Sequence, residues 1–229
     1  MWEPYICAHI LPWAHGLVKD KRVKAVYYIA PCAVIAYRKE MGWSENDIPK
    51  NDGVNYIIAP DDKKLKEIYE TDTDTAIHIY HGLAVNKIEG HYFKFGLKYN
   101  INRSICYEGP ITFIYPLWQH YLNFYLRKYM YVKYINNVFA IGEQSEKYYR
   151  SLSKKWNVYP FMYATETPNN LIIPNKPIFM NVCYVGTLSD LKNVSYLINE
   201  LHKLPKSSFH LDIYGDGEKR AEIEEQIFS

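Results

Sequence analysis

Three observations in the sequence predict an α/β protein built on parallel sheets. Short apolar runs alternate with segments of helical period over nearly the whole chain. The runs are rich in β-branched and aromatic residues and stop at turn residues, as buried strands do. A Pro- and Asn-rich stretch interrupts the alternation once, and it then restarts. Such alternation implies βαβ units, and so sheets covered by helices on both faces.

Residues 5–10 read as the first strand, with Pro12, Trp13, Ala14, His15 and Gly16 as the loop after it. Residues 23–30 are a β-rich run, and residues 54–59 another, closed by Pro60. Residues 61–70 look helical, with Leu65, Ile68 and Tyr69 on one face. Residues 76–80 read as a buried strand ending at His81 and Gly82. A helix over residues 86–99 opens with Asn86 and Glu89, a spacing like a capping box. Gly90 and Gly96 weaken it. Residues 104–107 are the next strand, ending at Glu108, Gly109 and Pro110. Residues 117–134 are a long helical candidate, 138–141 a strand, 145–152 a helix and 158–163 the last strand of this stretch.

Residues 164–177 hold Pro168, Pro174, Pro177, Asn169, Asn170 and Asn175, which is the composition of a linker. The expected division is a Rossmann-like domain over 1–163, a linker over 164–177 and a second domain from 178. Residues 178–185 are a strand, Gly186 to Asp190 a turn, and 191–204 a helix carrying Val194, Leu197, Ile198 and Leu201 on one stripe. Residues 209–214 are a further strand, Gly215 to Gly217 a turn, and 219–228 a helix. Two strands and two helices do not complete a parallel sheet, so the second domain is expected to be incomplete within these 229 residues.

Composition narrows the function. At 48% hydrophobic and 23% charged, the chain can bury a core. A net charge of +2 gives no field that would gather nucleic acid, which is not expected as a partner. Tyrosine, at 23 copies, suits half-buried sites, although compositional drift accounts for it equally. Cys7, Cys32, Cys106 and Cys183 lack metal-ligand spacing, so no metal is expected. Cys7, Cys106 and Cys183 lie in apolar runs and read as core residues in a reducing compartment. Asp72 and Asp74 have the spacing of a metal motif, but they precede a strand and read as a turn. No basic-then-apolar leader follows Met1, and no run approaches the ~18 apolar residues of a membrane span. The expected place is the cytoplasm, with peripheral contact at the inner face of the cell membrane.

The string from Phe179 to Ile227 resembles the opening of the donor-binding domain of glycosyltransferase family 4, the group 1 enzymes of the GT-B fold. In that family a strand ends in Gly-Arg, a Lys-Gly pair opens the first helix, and the second strand ends in a Gly-x-Gly turn. Those places here hold Gly186-Thr187, Lys192-Asn193 and Gly215-Asp216-Gly217. The first domain matches only in its order of elements. The resemblance implies two Rossmann-like domains and a retaining hexosyltransferase. It would move a sugar from a nucleotide-diphosphate sugar to a glycan or lipid-linked glycan, in cell-surface polysaccharide synthesis, with no cofactor. A glycine at a strand end lets phosphate approach the backbone, and the following helix start offers free N–H groups. The resemblance implies that Lys192 neutralises the diphosphate leaving group. On its own spacing Lys192 also reads as a surface lysine. The family's arginine is Thr187 here, and its paired glutamates fall further along than Ser229. A non-catalytic, degenerate transferase that binds a partner or a membrane is therefore the alternative.

In an α/β sheet, ligands bind where strands end at their C-termini. Three such loops are candidates for the acceptor side. They hold Trp13, His15 and Gly16; then His81; then Glu108, which stands near where many relatives carry a histidine facing the sugar. His81 and Glu108 are the catalytic candidates, with a satisfied loop histidine and a turn cap as the alternatives. Residues 111–141 contain no Asp or Glu. They carry Trp118, Arg127, Lys128 and Lys133 among many tyrosines, which suits either an anionic membrane surface or a helix packed on the sheet.

Overall fold

The computed structural model describes residues 1–7, 10–40, 44–49, 52–83, 88–110, 112, 115–164, 180–205 and 207–228. The chain divides into two compact units, Met1–Thr167 and Pro168–Ser229. Both are α/β with parallel strands.

In the first unit the strands are β1 (Val26–Ala30), β2 (Val54–Ile58), β3 (Ile77–His81), β4 (Asn102–Glu108), β5 (Asn137–Ile141) and β6 (Asn157–Phe161). The helices are α1 (Leu11–Lys19), α2 (Ala36–Glu40), α3 (Asp62–Glu70), α4 (Ile88–Gly96), α5 (Leu117–Arg127) and α6 (Glu143–Leu152). β1 pairs with β2, and β3 to β6 run side by side in sequence order, all parallel.

The seam between the two sets is closed by the start of the chain. Trp2 bridges Ile29 of β1 on one side and Tyr80 of β3 on the other, both in parallel. Its N–H donates to the Ile79 carbonyl at 2.7 Å, and its carbonyl accepts from His81 N–H at 2.9 Å. Glu3 N–H donates to the Ile29 carbonyl at 2.9 Å. The sheet thus reads β2-β1-Trp2-β3-β4-β5-β6. This corrects the expected first strand: Tyr5, Ile6 and Cys7 have no strand pairing, and residues 8–9 lie outside the described residues. Trp2 fills the place because its ring supplies the area that this position needs. It stacks on Tyr69 (centroids 5.0 Å) and Tyr80 (5.5 Å).

Side chains alternate between two faces, as the strand period demands. Val26 and Tyr28 join Met1, Ile10 and Ala14 beneath α1, whereas Ile29 joins Trp2, Leu65, Tyr80, Ile105 and Val138 beneath α3 to α6. Local chemistry sets the helix ends. Asp61 caps α3 by accepting from Lys64 N–H at 2.7 Å. The buried Arg103 guanidinium donates to the Gly96 and Tyr99 carbonyls, closing the C-terminal end of α4. Asn86 lies outside the described residues, as do 165–177 of the expected linker.

Two further expectations are corrected. Residues 12–16 are not a loop but the body of α1. The long helix expected over 117–134 ends at Arg127, where Lys128 turns to φ −122°, and a 3-10 helix, Tyr129–Tyr134, follows.

The second unit holds β7 (Met180–Val185), α7 (Val194–Leu201), β8 (Phe209–Tyr214) and α8 (Arg220–Phe228). β7 and β8 are parallel, with Met180 opposite Phe209. Leu188, Val194, Ile198 and Ile223 form its buried core. Cys183 is exposed here, not the core residue expected, while Cys106 is buried in β4.

Candidate functional site

The C-terminal edge of the first unit's sheet gathers the polar groups that the core rejects. Glu3 stands one residue past the bridging Trp2. Its side chain is 1% exposed, and its Oε2 lies 2.9 Å from Nδ1 of His81, at the end of β3. Neither oxygen of Glu3 accepts a well-directed hydrogen bond from other described groups, so the imidazole is the contact that offsets the carboxylate's burial. The His81 side chain is 29% exposed, so the pair has one member in the core and one at the edge. Tyr107 packs edge-on against the His81 ring, at 5.1 Å between centroids. Gly82 turns away at φ +65°, and a Cβ there would strike the Tyr107 ring, so glycine is required.

The next strand end carries a second pair. Glu108 closes β4, and the Tyr163 hydroxyl hydrogen-bonds its side chain. Burial pushes the Tyr163 hydroxyl well above its usual range, and the Glu108 charge adds to that. The Glu108 carbonyl accepts from Tyr149 Oη at 3.2 Å, and Gly109 N–H donates to Ser145 Oγ. These bonds fix the strand end against α6. Burial and then the Glu3 charge push the Cys106 thiol up, so it is no thiolate nucleophile.

Beside Glu108 lies a cavity of about 290 Å³ between β4, α5 and α6. Tyr107, Glu108, His120, Asn123, Lys128 and Tyr149 are among its lining residues. His120 Nε2 is buried without a hydrogen-bond partner. Rings and a few convergent polar groups around a concave space are the usual make-up of a small-molecule site.

The structure brings only part of the expected acceptor-side group to this edge. Trp13 packs in α1 on Phe161 (4.5 Å between centroids) and Phe139. His15 turns elsewhere. Its Nε2 is 2.8 Å from Asp52 Oδ2, ahead of the N-terminal end of β2, and Asp52 also accepts from Tyr56 Oη at 2.6 Å and from Val54 N–H. Burial works to raise the Asp52 carboxyl, but these bonds outweigh it and hold the group below its usual range. His15 is thus a clasp between α1 and β2. Gly16 sits mid-helix, with nothing within 4 Å of where a Cβ would stand, so no contact requires a glycine there.

In the second unit the expected donor residues lie on two adjoining turns. Gly186 N–H donates to the Tyr214 carbonyl at 3.0 Å, and Leu188 N–H to the Asp216 carbonyl at 2.9 Å. A Cβ on Gly215 would overlap the Gly186 carbonyl oxygen, and one on Gly217 the Leu188 carbonyl. Both glycines are therefore required by turn-on-turn packing, before any ligand is considered. The Thr187 carbonyl accepts from Tyr184 Oη at 2.9 Å. Lys192 is exposed in the turn before Asn193, the N-cap of α7, and does not open the helix as expected. Lys219 ties the turns together through Asp190, 3.1 Å away.

On α5, Trp118 points outward and Arg127 ends the helix, while Lys133 lies over the Tyr134 ring at 4.9 Å. Among the described residues, no group of three or more His, Cys, Asp or Glu side chains is placed to hold a metal ion. Sequence reasoning missed Glu3, Tyr163 and His120. Only the sheet order and the helix faces place them at the edge. The chain matches no family model, no curated protein and no solved structure.

Proposed function

We propose that the chain carries the acceptor side, and the opening of the donor side, of a GT-B type glycosyltransferase. It transfers a sugar from a nucleotide-diphosphate sugar to a glycan or lipid-linked glycan hydroxyl. The observation that carries this reading is the Glu3–His81 pair at the C-terminal sheet edge, beside the Glu108–Tyr163 pair and the 290 Å³ cavity. In the transfer, the bond from the anomeric carbon to the diphosphate oxygen breaks, and a bond to the acceptor oxygen forms. Glu3 orients His81, and His81 and Glu108 hold the acceptor hydroxyl and share its proton. Lys192 and the α7 N-terminal turn receive the diphosphate charge. No cofactor beyond the nucleotide sugar is needed, and the place of action is the cytoplasmic face of the membrane.

The second reading is a non-catalytic module. It is favoured by one observation: Gly215 and Gly217 are fully occupied by turn packing. Nucleoside diphosphate release separates the two. Release from uridine- or guanosine-diphosphate sugars that rises with added glycan acceptor, and falls in His81→Asn, supports the transferase. Release no faster than in buffer with every sugar nucleotide, together with no glycan binding that His81→Asn weakens, leaves the module.

A further inference from the structure

We propose that α5 and the 3-10 helix after it form a docking face for an anionic lipid bilayer. The face stands whatever reaction the unit performs.

α5 has two sides of opposite character. Trp118, Leu122, Tyr125, Leu126 and Tyr129 recur at helical spacing, and all are solvent-exposed, Trp118 at 62% and Leu126 at 74%. Met130 extends the stripe at 67% exposure. The opposite side, with His120, Asn123 and Phe124, lines the cavity instead. A soluble surface rarely shows so many large apolar side chains in one contiguous stripe, and such a stripe marks a partner.

Charge identifies the occupant. Lys133 is exposed one 3-10 turn past Met130, Arg127 is exposed at the end of α5 on the side of Asn123, and no Asp or Glu occurs from 111 to 141. The next acids along the chain, Glu143 and Glu146 on α6, are each held by a cation of their own helix, Lys147 at 2.6 Å and Arg150 at 2.8 Å. The stripe therefore presents rings with a cation at its end, Arg127 adds a second positive charge to the same segment, and no anion of that segment competes. Trp and Tyr favour the headgroup level of a bilayer, where an apolar body and a polar tip are both accommodated. Basic residues beside them add attraction to anionic lipid. Among the described residues no helix is long and apolar enough to cross a membrane, so the helix lies along the surface. Bilayer and cavity then stand on opposite sides of α5.

Co-sedimentation of the full chain with vesicles tests this. Phosphatidylcholine vesicles are compared with vesicles of equal parts phosphatidylcholine and phosphatidylglycerol. The protein is expected to pellet with the mixed vesicles and to be released by salt. Arg127→Gln with Lys133→Gln is expected to weaken partitioning roughly 30-fold, at the scale of one surface cation each. Trp118→Ser with Leu126→Ser is expected to abolish it. Brominated lipid is expected to quench tryptophan fluorescence in the parent and not in Trp118→Phe, a conservative change that preserves the fold. Equal pelleting of parent and charge variant, or quenching that persists in Trp118→Phe, overturns the proposal. So does a dimer in sedimentation equilibrium that Trp118→Ser with Leu126→Ser dissolves, with no vesicle binding. Nucleoside diphosphate release with a water-soluble acceptor is expected to be the same in these variants, so failure here is distinguishable from failure of the transferase reading.

Discussion

The indole Nε1 of Trp2 donates a hydrogen bond to Nδ1 of His78 at 3.2 Å, inside the core of the first unit. The bond holds the imidazole as its Nε2–H tautomer, and Nε2 is buried without a partner. Burial lowers the His78 pKa to about 3, helped by the positive charges of the chain's amino end and Arg103. The fold therefore requires a neutral histidine at its centre.

Acid is expected to act through that residue. The unfolded chain takes up the proton near the ordinary value of 6.5 and the folded chain only near 3. Stability then falls as pH drops below 6.5, and keeps falling until about 3. Between pH 7 and 5 the loss is about 2 kcal/mol. Urea melts of the parent and of His78→Gln at the two pH values check it. The variant is expected to lose less on acidification by about that amount, and equal losses would remove His78 from the account.

Arg103 is expected to matter for stability alone. Its guanidinium is buried and spent on the carbonyls at the end of α4. Arg103→Met keeps much of the stem but leaves those carbonyls unpaired, at a cost of about 2–4 kcal/mol. The urea midpoint is expected to drop with an unchanged slope. A drop worth under about 0.5 kcal/mol would show that water satisfies the carbonyls as well.

Two glycine substitutions are expected to have opposite signs. Gly215→Ala drives a Cβ into the Gly186 carbonyl and must part the two turns of the second unit. Hydrogen exchange in β7 and β8 is expected to rise sharply. Gly16→Ala adds a methyl to open space within α1, and is expected to stabilise the first unit by up to about 1 kcal/mol. A Gly215→Ala protein with parental exchange rates would refute the close approach.

His81→Asn is expected to lower kcat/KM by roughly 10²-fold or more if the imidazole shares the acceptor proton. Glu3→Gln keeps the shape but removes the charge that faces the ring. It is expected to lower kcat more than it raises KM, and to shift the pH profile. Parental activity in both variants would move the chemistry away from this edge.

Most of the elements were legible because their signals are local. The alternation of apolar runs and helical stripes located β1 to β8 within a few residues, and Asp61 announced the start of α3. What was not legible depends on contacts distant in sequence. The run at 5–10 is apolar enough for a strand, yet the two open edges available to it are already bridged by Trp2. His15 looked like a strand-end residue, and only the position of Asp52 shows that α1 carries it to the other end of the sheet. Glu3 bore no signal at all beside Pro4. Its pairing with His81 exists only because the seam sets those two strand ends side by side.

That seam also sets a timetable. Trp2 has one neighbour in β1 and the other in β3. When β1 has left the ribosome only one of its two edges can be met, and β3 arrives much later. Throughout that interval a large aromatic side chain is made but has no finished slot. A chaperone that grips exposed aromatics would find its clearest handle in the residues around Trp2, and would lose it at the moment β3 docks.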